Sequence, residues 1–293
     1  MSYNPNLIFI SPSSISDFKI CQQLYFYRNI YRSPNTGLKI QITNPKLTLG
    51  GVVHDALSQF LYQPGIDKTY KELIRIFETI WNKSSGEKGG FSSQDEEYLL
   101  KERGKSMLER FMKNKHLLKI SPVQIPSFPK YELGDDLILT GKLDWVEKEG
   151  DTLHIIDFKT GENEERSDSV QLPIYSVLVS GIFKNNNIKA SYWYLDKNND
   201  LTLVKLPSID ESLKELKKIG SAIKNVRLTK SYSCSSGYET CWACKDFLAI
   251  TKGRGKLVNV DYSNRKQEVY IIPKEVTSNK NVDVEKIEDD LPF

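Results

Sequence analysis

Apolar residues recur at helical spacing through most of the first third of the chain. Runs of this kind predict amphipathic helices over residues 14–31, 53–61, 70–81 and 94–118. The Ser14-Ile15-Ser16-Asp17 spacing is typical of a capping box at the start of the first helix, on which Cys21 lies. Because Gly50-Gly51 precede the second run, we expect His54 in the first turns of that helix.

The apolar pattern changes to strand-like runs in the middle of the chain. Residues 137–146 and 152–158 flank one predicted hairpin turn, and residues 188–195 and 201–206 flank another. Helical runs at 169–183 and 209–226 follow the two hairpins, and a glycine- and lysine-containing loop and a strand-like run at 268–272 precede a polar tail. The order of helices, hairpin, helix, hairpin and helix predicts an α/β fold, and we find no internal repeat.

The composition is that of an ordinary folded protein. Hydrophobic residues make up 39% and charged residues 27% of the 293 residues, which excludes a wholly disordered, collagen-like or coiled-coil chain. With no membrane-length apolar run and no signal-peptide pattern at the start, we expect a cytosolic protein. The net charge is +3, but residues 281–293 are strongly acidic, so the remainder is more basic and compatible with a polyanionic substrate.

Two acidic residues lie in otherwise apolar strand-like runs. Asp144 and Asp157 are predicted at neighbouring strand ends, where buried carboxylates are costly unless they are paired or bind a metal ion. Lys159 shares a face with Asp157, since strand side chains alternate, and would suit a phosphate oxygen. Carboxylates, a cation and a lysine together fit phosphodiester hydrolysis. A salt-bridged hairpin rim would give the same local pattern.

The cysteines indicate a metal site. Four cysteines in a cytosolic chain are unexpected as disulfides, and Cys234, Cys241 and Cys244 lie close together.

An ordered set of motifs resembles the RecB-like branch of the PD-(D/E)XK nuclease superfamily, which includes CRISPR-associated exonucleases and recombination nucleases. The set comprises Ser11-Pro12-Ser13-Ser14 with Cys21, Gly50-Gly51-Val52-Val53-His54, Gly141 to Asp144, Asp157-Phe158-Lys159-Thr160-Gly161, Gln171-Leu172-Pro173-Ile174-Tyr175 and the late cysteines. The resemblance implies a restriction-endonuclease-like core with a mixed central sheet flanked by helices. We expect a helical part (1–120), the nuclease core (121–230), a cysteine metal-binding segment (231–253) and a strand-like segment with an acidic tail (254–293).

The resemblance also implies roles for individual residues. The implied ligands of Mg²⁺ or Mn²⁺ are His54, Asp144, Asp157 and the main-chain carbonyl of Phe158. Lys159 would be the catalytic lysine, and Gln171 and Tyr175, four residues apart on a predicted helix, would line the active site.

For the cysteines, the resemblance implies a four-iron four-sulfur (4Fe-4S) cluster that joins Cys21 to the three late cysteines. The spacing departs from the family pattern, because Cys241-Trp242-Ala243-Cys244 comes last and Cys234 precedes it. Zinc suits four thiolates equally well, and free thiols are a further alternative.

The last residues resemble the acidic tip of bacterial single-stranded-DNA-binding proteins. Asp289-Asp290-Leu291-Pro292-Phe293 would then dock on a replication or recombination protein, although a solubilising tail explains the same residues.

Together these features predict a metal-dependent DNA nuclease, most simply an exonuclease on single-stranded ends in recombination, repair, or phage or CRISPR DNA processing. A Gly-x4-Gly-Lys-Ser/Thr phosphate loop is absent from the sequence, so no motor is predicted within it. The alternatives are a CRISPR spacer-acquisition nuclease, a non-catalytic DNA-binding module of the same fold, and a zinc-organised interaction protein.

Overall fold

The structure, a computed structural model, describes residues 7–63, 65–263 and 265–273. The strands of these residues form three sheets, with helices packed on both faces of the largest one. This arrangement confirms the predicted α/β class with a mixed central sheet. Within the described ranges, no helix combines the length and apolar character needed to span a membrane. The acidic tip at Asp289–Phe293 lies outside the described residues.

The central sheet has the strand order β5-β6-β7-β8. Its strands are β5 (Trp145–Glu149), β6 (Thr152–Lys159), β7 (Ile188–Tyr194) and β8 (Thr202–Val204). β5 and β8 pair antiparallel with their neighbours, whereas β6 and β7 are parallel and joined through helix α7 (Gln171–Phe183). The predicted hairpins at β5-β6 and β7-β8 are confirmed, and α8 (Ile209–Thr229) follows as predicted.

A second sheet shows that the first predicted strand is in fact two strands. The run at 137–146 is two strands, because β4 (Leu137–Thr140) pairs with β1 (Ile8–Ile10) and β3 (Lys130–Gly134), while β5 belongs to the central sheet. Asp144 therefore precedes β5 instead of ending a strand. Gly141, where the chain leaves β4, passes so close to helix α7 that an added Cβ would lie 2.9 Å from the Tyr175 ring.

The part of the chain at residues 45–119 covers the face of the central sheet opposite to α7 and α8. Its helices are α3 (Pro45–Tyr62), α4 (Tyr70–Trp81), α5 (Gln94–Lys113) and α6 (Lys115–Lys119), with short 3-10 turns at Asn82–Ser84 and Gly86–Gly89. Helix α3 begins earlier than predicted, because Asn44 caps it and Pro45 occupies the first turn. His54 consequently lies in the third turn of α3. The predicted helix at 94–118 divides at Asn114, whose side chain caps α6.

The prediction of a single helix over residues 14–31 is wrong. Helix α1 (Pro12–Ile20) ends at Cys21, which is extended (φ −164°, ψ 128°) and precedes α2 (Gln22–Tyr25) and a π-helical turn at Phe26–Ile30. The capping box also shifts by three residues, because Ser11 accepts from the Ser14 amide. The Asp17 side chain instead accepts a hydrogen bond from the π-helical turn, where the Arg28 guanidinium donates to Asp17 Oδ1 at 2.6 Å.

A third sheet lies over the cysteines. It contains β2 (Lys39–Ile42), β10 (Gln267–Ile271) and β9 (Lys256–Asp261), and the short helix α9 (Lys245–Thr251) packs nearby. The strand-like run near 268–272 is confirmed as β10. β2 and β9 were not predicted, because half of the residues in each are polar.

Candidate active site

One cleft collects the residues that the sequence singles out for catalysis. Its volume is about 850 Å³, and it is lined by residues of α3, the 141–144 connection, β6, α7 and the cysteine segment. The predicted site residues that line it are His54, Asp144, Asp157, Phe158, Lys159, Gln171 and Tyr175.

His54 and Asp144 form a close pair. His54 Nδ1 lies 3.0 Å from Asp144 Oδ1, and the Phe158 main-chain N–H donates to Asp144 Oδ2 at 3.0 Å. Tyr62 OH donates to the Asp144 carbonyl at 3.0 Å, which ties the connection before β5 to the end of α3. Burial opposes both charges, but the attraction between the pair outweighs it, so the pKa of His54 is raised and that of Asp144 is lowered.

The two carboxylate oxygens of Asp157 have different surroundings. The residue is only 2% exposed, and Gln171 Nε2 donates to its Oδ1 at 2.9 Å. Among the described residues Oδ2 has no hydrogen-bond donor, although Lys159 Nζ lies 3.2 Å away outside hydrogen-bond geometry. Burial raises the pKa of Asp157 to about 6 despite the neighbouring lysine. The charge of Lys159 partly compensates this oxygen, and its lack of a hydrogen-bond donor leaves a position at which a divalent cation could bind.

Three groups besides Asp157 surround the ammonium of Lys159. Its Nζ lies 2.6 Å from Gln171 Oε1, 2.6 Å from Glu165 Oε2 and 5.0 Å from the centre of the Tyr192 ring. Burial alone would lower the pKa of Lys159, but Asp157 and Glu165 raise it overall, so the side chain stays charged. Sequence reasoning missed Glu165, because it lies in an irregular loop and carries no motif.

Gln171 and Tyr175 share one face of α7, as their spacing predicts. Gln171 Nε2 donates to Tyr175 OH at 3.2 Å, while Tyr175 OH donates to the Lys142 carbonyl at 2.7 Å. Gln171 thus connects Asp157 and Lys159, and Tyr175 fixes Gln171 to the 141–144 connection.

The cleft walls carry more cationic than anionic side chains, together with exposed aromatic rings; the anionic lining residues outside the predicted site are Asp55, Asp246 and Asp261. The candidate catalytic group consists of His54, Asp144, Asp157, Lys159, Gln171 and Tyr175, and the cationic lining residues outside it are Arg28, Lys83, Lys88, Lys142, Lys245 and Arg265. Among the described residues, Lys83 and Lys88 have no acidic partner. Phe128 and Trp242 are 64% and 40% exposed and line the same cleft. Such walls suit a phosphate backbone with accessible bases.

The four cysteines form a separate group of potential metal ligands. Cys21, Cys234, Cys241 and Cys244 are free thiols whose Sγ atoms all lie within 4.8 Å of one another. The group lies beside the cleft, since Trp242, Ala243 and Lys245 of the same segment line it.

A further group of polar side chains lies on the opposite face of the central sheet. His116, Glu147 and Glu149 offer ligand atoms within 4.8 Å of one another. Glu147 is already satisfied, because Oε1 lies 3.1 Å from His154 Nδ1 and Oε2 accepts from Trp145 Nε1 at 3.1 Å. We interpret this group as a hydrogen-bond network that stabilises the sheet. Neither histidine matches a motif in the sequence.

Comparisons with known proteins identify a family and a similar solved structure. The model of the PD-(D/E)XK nuclease superfamily matches residues 10–245. A crystal structure of a candidate exonuclease from Eubacterium rectale is similar, with 12% identity, a TM-score of 0.48, and 81% of this chain and 87% of that chain covered. Among curated proteins, none matches at a significant level. Because the family match extends over most of the chain and includes every residue of the catalytic group, the chain belongs to the PD-(D/E)XK nuclease superfamily.

Proposed function

We propose that this protein is a metal-dependent deoxyribonuclease of the RecB-like branch. The observation that carries the proposal is the convergence of His54, Asp144, Asp157 and Lys159 in one cleft, from three separate parts of the chain. A decayed, non-catalytic DNA-binding module would be expected to lack at least one of these groups.

The donor set fits a hard divalent cation. His54, Asp144, Asp157 and the Phe158 carbonyl would hold Mg²⁺ or Mn²⁺. When bound, such an ion supplies an acidified water and stabilises negative charge on the phosphorus oxygens.

The remaining residues position the substrate and the lysine. Lys159 places a fixed positive charge where a non-bridging phosphate oxygen would lie. Gln171 holds that ammonium through Oε1 and the Asp157 carboxylate through Nε2, so both groups keep one orientation. Tyr175 maintains the position of Gln171 through its hydroxyl.

We further propose that the substrate is single-stranded DNA, cleaved from an end. Phe128 and Trp242 support this, because rings exposed in a basic cleft can stack on unpaired bases, which a duplex does not offer. Stacking is worth about 1–3 kcal/mol per base. Trp242→Ala should therefore weaken single-strand binding by about fivefold to 150-fold. Tyr238→Ala, which removes an exposed ring of the same segment outside the cleft lining, should not weaken it.

The acidic tip supplies a further proposal, that Phe293 and the preceding acids bind a replication or recombination protein. Its resemblance to the tip of single-stranded-DNA-binding proteins supports this. Deletion of Phe293 should then abolish partner binding without changing cleavage of naked DNA.

The test of the nuclease is cleavage of end-labelled single- and double-stranded DNA in Mg²⁺ or Mn²⁺. Wild type should release short products, whereas Lys159→Ala should bind DNA and leave it intact. Equal cleavage by both proteins would refute the catalytic role of Lys159. DNA binding with no cleavage by either would favour the non-catalytic module.

A further inference from the structure

The loop of residues 82–90, which follows α4, contributes two lysines to the wall of the cleft. Lys83 and Lys88 line the cleft, and both residues are exposed. Neither forms an ion pair with an acidic side chain of the described chain. The one acid of the loop, Glu87, lies outside the cleft lining and 2.6 Å from the ammonium of Lys256 on β9. The loop therefore presents two positive charges to the cleft without an acid to neutralise them.

Glu97 of α5 fixes the first turn of this loop. Its carboxylate accepts hydrogen bonds from Trp81 Nε1 at 3.0 Å, from Ser85 Oγ at 2.6 Å and from the Gly86 main-chain N–H at 2.9 Å. These three donors lie on both sides of Lys83 in the sequence. One carboxylate therefore holds the backbone from which the Lys83 side chain extends.

Contacts with α3 fix the second turn. Thr48 Oγ1 donates to the Gly89 carbonyl at 2.8 Å in a buried hydrogen bond. Gly90 has a left-handed backbone (φ 81°), and a Cβ at this position would lie 2.8 Å from Asn44 Cα, so glycine is required here. Because Lys88 directly precedes these two glycines, its backbone is held against the start of α3.

Helix α3 also sets the distance between the loop and the catalytic group. Residues of α3 from its N-cap Asn44 to Asp55 line the cleft, so the cleft follows this helix. The loop contacts the helix at Thr48, and His54 lies six residues further on, a rise of about 9 Å along the axis. At about 3.4 Å per nucleotide of a stacked strand, a phosphate bound at the loop lies about two or three nucleotides from the phosphate at the catalytic group.

We propose that Lys83 and Lys88 bind backbone phosphates of single-stranded DNA on one side of the cleavage position, and that Glu97 is a positioning residue for Lys83. This inference deepens the proposed function and rests on it in taking single-stranded DNA as the substrate. Contacts with phosphates carry no base-sequence information. The loop therefore fixes where the strand lies in the cleft without selecting its sequence.

The test measures the affinity of the full-length protein for single-stranded DNA over a range of salt concentrations, in a buffer without divalent ions so that cleavage does not contribute. Each phosphate contact adds about −0.7 to the slope of log K against log salt. Lys83→Gln and Lys88→Gln should therefore each weaken binding about fivefold at 0.1 M salt, and the double variant about 25-fold with a slope shallower by about 1.4. The control is Lys217→Gln with Lys218→Gln, an exposed pair on α8 outside the cleft lining, which should change neither quantity.

Two further measurements locate the contacts. DNA in which single phosphates are replaced by neutral methylphosphonates should bind wild type more weakly at particular positions, and those positions should no longer matter in the double lysine variant. Glu97→Gln should weaken binding in wild type and add nothing in the double lysine variant, a non-additivity that a merely structural role of Glu97 would not produce.

The outcomes separate this inference from the proposed nuclease. Wild-type affinity and salt slope in the double lysine variant would overturn the inference and leave the nuclease intact, as would equal losses in the α8 control pair. Additive losses on combining Glu97→Gln with the lysine variants would overturn the positioning role. Lysine-dependent binding by a wild-type protein that cleaves no DNA would support the inference and contradict the nuclease.

Discussion

A single methyl group at Gly141 tests whether Tyr175 supports the catalytic group. In Gly141→Ala the new Cβ would lie 2.9 Å from Tyr175 Cε1 and 3.3 Å from Leu178 Cδ1, both on helix α7. Since ordinary contact begins near 3.4 Å, the ring must move by about 0.5 Å. Tyr175 has little freedom to do so, because its hydroxyl bonds both Gln171 and the Lys142 carbonyl.

We expect two consequences of that movement. Overpacking should cost about 1–3 kcal/mol of unfolding free energy. Cleavage should fall by about tenfold to a hundredfold, because Gln171 would no longer hold Lys159 and Asp157 in one orientation. Urea unfolding measures the first effect, and single-turnover cleavage under folding conditions measures the second.

Gly181→Ala is the matched control. Gly181 lies on α7, and its Cβ would lie 2.6 Å from the ring of Tyr131, a tyrosine of β3 outside the catalytic group. This variant should lose stability, partly offset by the higher helix propensity of alanine, and retain its cleavage rate. Wild-type cleavage by Gly141→Ala, or equal losses of cleavage in the two variants, would refute the support role of Tyr175.

Two further predictions concern carboxylates. Burial opposes the ionisation of Glu147, but hydrogen bonds from His154 and Trp145 lower its pKa to about 2. The ionised carboxylate therefore stabilises the folded protein fully above its ordinary pKa of 4.5, and this stabilisation is lost as the pH falls toward 2. The stabilisation amounts to at most about 3 kcal/mol of unfolding free energy. Glu147→Gln should remove the part of the acid dependence of unfolding free energy that comes from Glu147, and an unchanged pH profile of unfolding would contradict the prediction. Glu165→Gln should slow single-turnover cleavage about tenfold without weakening DNA binding, because Lys159 loses one of the groups that position it. An unchanged cleavage rate would refute this role of Glu165 and would show that Gln171 positions Lys159 without it.

The arrangement of the candidate catalytic residues on β6 and α7 was largely predictable, because its sequence signals are local. Alternation along β6 places Asp157 and Lys159 on one side, and the four-residue spacing on α7 places Gln171 beside Tyr175. These are properties of one strand and one helix, which a sequence pattern records directly.

Sequence analysis failed for strands and side chains whose role depends on contacts with other elements of the fold. β4 and the start of β5 fall in the single strand-like run predicted at 137–146, and only the pairing of β4 with β1 and β3 shows that it belongs to another sheet. Glu165 was missed for the same reason, because its importance comes from a 2.6 Å contact with Lys159 that no spacing encodes. The break at Cys21 interrupts a pattern that continues to look helical on both sides.

The precision of the polar site depends on aromatic packing on the other face of β6. Phe158, between Asp157 and Lys159, packs in edge contacts on Phe111 and Trp193, with ring centroids 5.8 Å and 5.9 Å apart. A slip of one residue would place this ring in the cleft and both charges in the apolar core, so the register is strongly fixed. The Phe158 N–H meanwhile holds Asp144. The same residue therefore locks the strand through its side chain and positions a candidate metal ligand through its backbone, which explains how a two-carboxylate site stays ordered at the edge of a hydrophobic core.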